Sequence, residues 1–589
     1  MEQSFSKRCR YFVLLIFCVT GMVIFDRSLV FMSPQMTIHK LIVIALNIFV
    51  IGVVPFAFAL IPWLARATDA MLRWFMKCIE KIQRNWKKVL LYTGLGIAGW
   101  GAAWLLENCI ISRVLHESAN DSRRVFVFAI ILLGIAVYGF RKRAGQKPEQ
   151  FFAVAALILG GMLIRISPAT LGIMADDETH YARVLAEANL FDGSCLDVEQ
   201  KMLDEFAQSV FYKLAYDRES RADYYAELNA MYEQKNVIHP SVRLHGIWSL
   251  SYVPSAIGTI VGQGLSLSFV HVFMLGKLFN LLFYVMLFYF AIKKIPYGKT
   301  LLAVFGLVPT SIFMASNYSY DPWVIGFIVL SYSFFFYEIQ NPDKKLEAKN
   351  VVCMVVFLIL GCMPKAVYCV LGLPLLFMPK AKFKDKKQRL MYYMPVVIAG
   401  VALLATFAVP ALIQGVGSGD SRGGEGINAN AQLAYILSDP IAYARVFFHF
   451  LKDYLSFGNM QSYMQRYFYF GNGDFYVPVF VILVIVAFLD KKKAKNQRIL
   501  VRISCIAASL LAVAACATVM YIVFTPVGSE QIFGCQGRYI LPAMIPFLVA
   551  ISPDVFDNKI KPQIFTIVPM ILVSSTFLYN VYNMSVALY

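Results

Sequence analysis

The chain has 589 residues, 59% of them hydrophobic and only 15% charged, with a net charge of +18. Ordinary soluble proteins are roughly 45–50% apolar and 25% charged. Here the mean hydropathy is +0.62, and apolar runs recur at the length of about 20 residues that a helix needs to cross ~30 Å of hydrocarbon. A soluble enzyme, a disordered scaffold and a collagen-like fibre are therefore excluded. The positive charge belongs to cytoplasmic loops, which accumulate Lys and Arg, and nucleic acid is not an expected partner. The 11 cysteines contain no CxxC pair, and Cys18, Cys353, Cys362, Cys505 and Cys516 lie in apolar runs as small core residues.

In chain order, Lys7, Arg8 and Arg10 precede an apolar run over 11–25 with no small-residue cleavage site after it. It reads as an uncleaved first span with a cytoplasmic N-terminus. A second span (41–62) returns to a basic loop holding Arg66, Arg73, Lys77, Lys81, Arg84, Lys87 and Lys88. A third (89–106) exits, and a fourth (125–140) leads to Arg141, Lys142, Arg143 and Lys147. The fifth (151–166) exits again. The segment that follows, 174–246, carries 14 acids against seven Lys/Arg, which fits an extracytoplasmic position. Its Asp204–Glu205–Phe206 and Tyr224–Tyr225–xx–Leu228 patterns predict short amphipathic helices on the membrane surface.

Two stretches allow alternatives. Residues 247–292 cross once with an interfacial helix, or twice; residues 351–378 form one long helix, or a tight pair broken at Met363–Pro364–Lys365. In one resulting topology Asp321 and Lys365 face outside while Lys293, Lys294, Lys299, Lys344, Lys345 and Lys349 face the cytoplasm; the other inverts them. The positive-inside rule favours the first. A span over 392–413 then exits to a second outer segment, 414–474, which opens Gly/Ser-rich; the aromatic cluster Tyr463, Tyr467, Phe468, Tyr469, Phe470, Phe475 and Tyr476 at its end is expected to be an interface belt, with a sugar-stacking platform as the alternative. A further span returns to Lys491–Arg498, a hairpin exposes 525–537, and two more spans follow.

The expected fold is all-α: a polytopic membrane protein of about 13–15 transmembrane helices with juxtamembrane helices on its outer face. Residues 1–150 form four N-terminal spans, 151–550 a core with outer loops 174–246 and 414–474, and 551–589 a last span.

Four polar islands at the outer ends of spans carry the chemistry. Asp176–Asp177–Glu178–Thr179–His180 with Arg183 sets three carboxylates beside hydrocarbon, where an acid at a helix centre costs about 2.5–3.5 kcal/mol. In a helix, Asp176, His180 and Arg183 share a face while Asp177 begins the turn. Helix capping accounts for one acid, not for three with a His and an Arg. Ser319–Tyr320–Asp321–Pro322 is equally ordinary turn vocabulary. From Met363 to Met378 is 15 steps, roughly 22 Å of helix against a ~30 Å bilayer core, which leaves Lys365 recessed, as a phosphate ligand or a snorkelling side chain. Gln536–Gly537–Arg538–Tyr539 puts an arginine at an outer span start, where its fork suits phosphate or carboxylate, or where Arg538 and Tyr539 anchor the interface.

Together these motifs resemble the GT-C superfamily of membrane glycosyltransferases, and more closely a bacterial family of predicted membrane proteins grouped with it. The resemblance runs from about 165 to 546. It rests on a Pro-Asp-Glu-x-x-His-like motif (Asp176 to His180, with Asp176 in the place of proline), Ser319–Tyr320–Asp321, Lys365 to Tyr368, and Gln536 to Pro542. It implies transfer of a sugar from a polyprenyl-phosphate donor to a glycan or lipid acceptor at the outer face of the plasma membrane. The first outer loop's acid, Asp177 with Asp176 as substitute, is then the general base; Glu178 and His180 assist; Arg183, Asp321, Lys365, Gln536, Arg538 and Tyr539 bind substrate and phosphate. The resemblance fixes no cofactor, and a divalent cation stays open, since Asp/Glu clusters also hold divalent cations. The competing expectations are a transporter or flippase of a lipid-linked saccharide, which usually shows repeated halves that this sequence lacks, and a polysaccharide polymerase or ligase.

Overall fold

The computed structural model describes residues 77, 80–81, 83–116, 118–189, 194–205, 214, 218–238, 249–414, 417, 419–420, 423–471, 473, 477–490, 499–552 and 558–586. The spans expected over 11–25 and 41–62, and the basic run Lys491–Arg498, lie outside the described residues.

The chain is an all-α polytopic membrane protein. Among the described residues eight helices are long and apolar enough to cross a membrane, and four shorter apolar helices accompany them. The first three are α1 (Trp86–Leu105, extended by a π turn to Ile111), α2 (Asp121–Phe140) and α3 (Pro148–Ile166). Asn120 caps α2 by accepting from the N–H groups of Ser122 and Arg123, and Pro148 starts α3 where no N–H is needed.

The polar segment after α3 folds into α4 (Asp177–Ala188), α5 (Asp197–Asp204) and α6 (Arg218–Gln234), tied by an antiparallel ribbon of β1 (Cys195–Leu196) and β2 (Val237–Ile238). The surface helix expected around Tyr224 is α6, but it does not lay its apolar stripe on lipid. Tyr224, Leu228 and Tyr232, four residues apart, are buried in a small core with Tyr181, Phe269 and Phe273. Protein side chains rather than hydrocarbon satisfy that stripe.

The first open stretch crosses once. After a 3-10 turn (Leu250–Tyr252), α7 (Val253–Gly264) is too short to span, and α8 (Phe269–Lys294) crosses alone. The two pack so closely that a Cβ on Gly258 would meet the Leu275 carbonyl. Next, α9 (Lys299–Gly306) and α10 (Pro309–Ala315) form one broken passage interrupted at Pro309. They lead into α11 (Asp321–Ile339), the central helix, with 89% of its most apolar window inside the protein.

The second open stretch is the tight pair: α12 (Ala348–Cys362) stops at Met363–Lys365, and a 3-10 helix (Ala366–Phe377) descends. Beyond it lie α13 (Lys386–Gln414), the helices α14 (Ala429–Ser438), α15 (Pro440–Tyr454) and α16 (Phe457–Met464), then α17 (Val479–Leu489), α18 (Ile499–Phe524), α19 (Leu541–Ile551) and α20 (Pro562–Ser585). At 11 residues, α17 falls short of the expected span.

Part of the aromatic cluster, expected as an interface belt, is taken into the core, while Tyr469 stays half exposed. Tyr467 and Phe470 are buried, and Phe313 of α10 packs on Tyr467, Phe468 and Phe470. Ring-to-ring packing claims Tyr467, Phe468 and Phe470 for the core; Phe475 and Tyr476 lie outside the described residues.

The ends of the bundle differ. At one, the loop after α2 meets the α8–α9 turn: Gly145, Gln146, Lys299, Asp490 and Pro562 line one cleft. Nearby, buried Glu338 pairs with Lys382 at 2.7 Å and Lys294 donates to Asn350. At the other, the start of α11 meets the start of α4. The residues are grouped at the two ends as in the first of the two alternative topologies: Asp321 shares an end with Asp176 through Arg538, with Lys365 beside them, and Lys299 shares the other with the basic loop 141–147.

Candidate functional site

Four distant segments converge at the Asp176 end. The helix α4 begins at Asp177, and Asp176 before it holds a left-handed backbone (φ 63°), a conformation that non-glycine residues adopt at a cost, Asp among the more readily. This kink sends the two neighbouring carboxylates in different directions. Asp176 turns towards Arg538, whose Nη2 lies 2.7 Å from its Oδ2. Asp177 turns back into its own loop: it is buried, and its oxygens accept from the N–H groups of Gly172, Ile173 and Met174, each at 3.1 Å.

Burial raises the Asp177 carboxyl above the usual carboxylate range, against the pull of these bonds and of Lys277. Lys277 is a residue that sequence reasoning missed. It is a buried lysine of α8 near Asp177, and its signal was its charge inside an apolar run, since ionisable groups within spans are rare and partnered.

Arg538 is the centre of the cluster. Its side chain is 1% exposed, and besides Asp176 it pairs with Asp321 through Nη1 at 3.3 Å. Asp321 opens α11, where Ser319 Oγ accepts from its N–H and donates to its Oδ2. Phe468 and Tyr539 flank the guanidinium at 5.4 and 5.7 Å from their ring centres. Gly537 leaves room for Tyr463 where any Cβ would collide with its ring.

Lys365 occupies the break after α12. Its Nζ stands 3.4 Å from the centre of the Tyr539 ring and 5.4 Å from that of Tyr320. The Nζ is buried without a hydrogen-bond partner among the described residues. A buried ammonium set against ring π-electrons, with Asp321 and Asp176 acting on it only through space, keeps its three donors unused, and buried polar groups are normally satisfied.

The buried His180 has Nδ1 2.9 Å from the Tyr252 hydroxyl and its ring edge-on to Tyr320. Burial first, then the charge of Arg538, holds its pKa well below the ordinary histidine value, so the imidazole is neutral. Its Nε2, Glu178 Oε2, Gln536 Oε1 and Arg538 Nε are likewise buried without partners among the described residues.

Of the expected residues, Asp176, Asp321, Lys365, Arg538 and Tyr539 thus form one cluster bordered by His180. Gln536 is fastened beside it, its carbonyl accepting from Tyr454. Arg183 lies farther out, 5.9 Å from the Tyr252 ring centre. Only Asp177 is directed into a backbone cradle. Among the described residues no group of three or more His, Cys, Asp or Glu is arranged to hold a metal ion.

Residues 157–546 match the family described as a predicted membrane protein, DUF2142. The chain belongs to the DUF2142 family. No curated protein and no solved structure matches it. The span matched by the DUF2142 family includes every residue of the cluster, from Asp176 to Tyr539, and α1 and α2 precede it.

Proposed function

We propose that this DUF2142 protein is a membrane glycosyltransferase of the GT-C type. It moves a sugar from a polyprenyl-phosphate donor to a glycan or lipid acceptor of the cell envelope, at the extracytoplasmic face of a bacterial plasma membrane. The observation that carries the reading is an unpartnered buried lysine, Lys365, beside the Asp176–Arg538–Asp321 ion cluster at the end of the bundle opposite the basic loops. The positive-inside rule puts those loops in the cytoplasm.

A lipid-phosphate donor needs cations at headgroup depth and a carboxylate beside the sugar. Asp176, whose side chain is 30% exposed against 8% for Asp321, is the acid available to an acceptor. It takes the proton of the acceptor hydroxyl as that oxygen bonds to the anomeric carbon, a contribution of roughly 10²–10⁴-fold. The bond from the anomeric carbon to the phosphate oxygen breaks, and its electron pair leaves on the phosphate. Lys365 and Arg538 stabilise that charge, strongly so in a site from which water is excluded. Neutral His180 orients the reacting groups through Nε2. This reading moves the base from Asp177 to Asp176, because the three N–H groups already claim Asp177.

The test is transfer of labelled sugar from a polyprenyl-phosphate donor in membranes carrying wild type or Asp176→Asn. Covalent transfer lost in the variant, with expression and insertion unchanged, is the expected result. Undiminished transfer ends the assignment, and movement of an unaltered donor across the membrane replaces it with a flippase.

A further inference from the structure

A second polar cleft lies at the same end of the bundle, outside the Arg538 cluster. It encloses about 240 Å³ between the start of α2, the end of α3 and the outer helix α6, and three arginines line it: Arg165, Arg218 and Arg221. Arg218, Arg221 and Tyr225 fall at i, i+3 and i+7 on one face of α6, and Arg165 stands in the last turn of α3.

The arginines outnumber the acids of the cleft, and Asp121 is near enough to act on Arg221 through space. The one carboxylate in the lining, Asp121, is already paired with Arg124 at 3.3 Å. Arg165 has no ion-pair partner among the described residues. Arg221 is fixed by donating to the carbonyls of Leu214 and Ile166 and to Ser122 Oγ, and Arg218 donates to the Ala119 carbonyl. The Tyr225 hydroxyl accepts from the Ala169 N–H and so keeps its own proton to donate.

We infer that this cleft binds the phosphate of an anionic phospholipid headgroup. Guanidinium forks match phosphate oxygens two at a time, and three of them around a cleft with one carboxylate, itself shared with Arg124, leave an excess of positive charge that a further anion offsets. The depth agrees. Residues 121–140 of α2 and 148–166 of α3 match the hydrocarbon thickness, so Asp121 and Arg165 stand at the headgroup level. A headgroup seated there also braces the loop leading to Asp176, because Tyr225 and Arg221 hold Ala169 and Ile166 at its start.

The test uses the full chain in nanodiscs containing equal phosphatidylglycerol and phosphatidylcholine, with retained lipid counted by native mass spectrometry. Wild type is expected to hold phosphatidylglycerol with about tenfold preference, and the exposed pair R165Q/R218Q to hold both lipids alike. The charge-conserving R165K/R218K variant guards against misfolding and is expected to keep only part of the preference, since lysine binds phosphate as a point charge. An undiminished preference in R165Q/R218Q, or none in wild type, overturns the inference. Thermal protection by inorganic phosphate, unmatched by chloride at the same ionic strength and without any lipid preference, assigns the cleft to a soluble phosphate and overturns it too. None of these measurements reads sugar transfer, so their outcome is separate from that of the proposed activity.

Discussion

Arg538 lies 2.7 Å from the Asp176 carboxylate although 362 residues separate them, and its other arm reaches Asp321 at 3.3 Å. One cation thus holds together the segment before α4, the start of α11 and the start of α19. Removing it as Arg538→Ala leaves two carboxylates facing each other, one of them deeply buried. Breaking a buried pair from one side costs about 3–5 kcal/mol. Unfolding of the purified protein in detergent is expected to show a loss of that order, and Arg538→Lys a smaller one. A variant as stable as wild type contradicts the bridging role.

Asp176 and Asp177 are neighbours with opposite assignments, and their substitutions are expected to separate. Asp176→Asn abolishes transfer and leaves the fold standing. Asp177→Ala strands three backbone N–H groups, and since each unsatisfied buried group costs about 1–3 kcal/mol, stability falls by at least ~2 kcal/mol. Thermal unfolding and transfer assays on the same membrane preparations tell the two apart. A destabilised Asp176→Asn beside an inactive but stable Asp177→Ala reverses the assignment.

Lys365 makes no hydrogen bond that its loss would strand. Lys365→Met is therefore expected to change stability by less than about 1 kcal/mol while lowering transfer by ~10²–10³-fold, the scale of a lost charge-stabilising donor. Parallel unfolding and kinetic measurements check this. Activity within twofold of wild type removes the lysine from the phosphate site.

The polar segment after α3 carries its own pH signature. Glu199 of α5 is buried and accepts from the Leu196 N–H, and burial pushes its carboxyl from 4.5 up to about 7. A carboxyl raised on folding is protonated more readily in the folded state. Its contribution is present below its unfolded value and is lost as pH rises from about 4.5 through 7, by up to ~3 kcal/mol. Glu199→Gln is expected to flatten that decline in a pH series of unfolding midpoints, and an unchanged slope counts against it.

Much of the architecture was legible in one dimension. The apolar runs over 89–106, 125–140, 151–166 and 392–413 are α1, α2, α3 and α13, with ends moved by a few residues, because a helix in hydrocarbon must satisfy its own backbone. The reading failed where side chains had two possible solvents. Tyr224, Leu228, Tyr467 and Phe470 show the same apolar pattern whether lipid or protein covers them, and here protein does. Lys277 went unread because a lone lysine gives no hint of its partner.

Composition and periodicity by themselves determined that the chain crosses a membrane repeatedly, and they put Asp176, Asp321, Lys365 and Arg538 at the ends of spans. Local sequence dictates both, since the cost of burying peptide groups and charges in hydrocarbon is paid residue by residue. Only the tertiary structure decided that these ends meet, that Arg538 bridges two carboxylates, and that the left-handed turn at Asp176 sends one of two adjacent acids to the cluster and the other to its backbone. Such choices depend on distances between residues hundreds of positions apart, which the packing of the helices sets and no local pattern encodes.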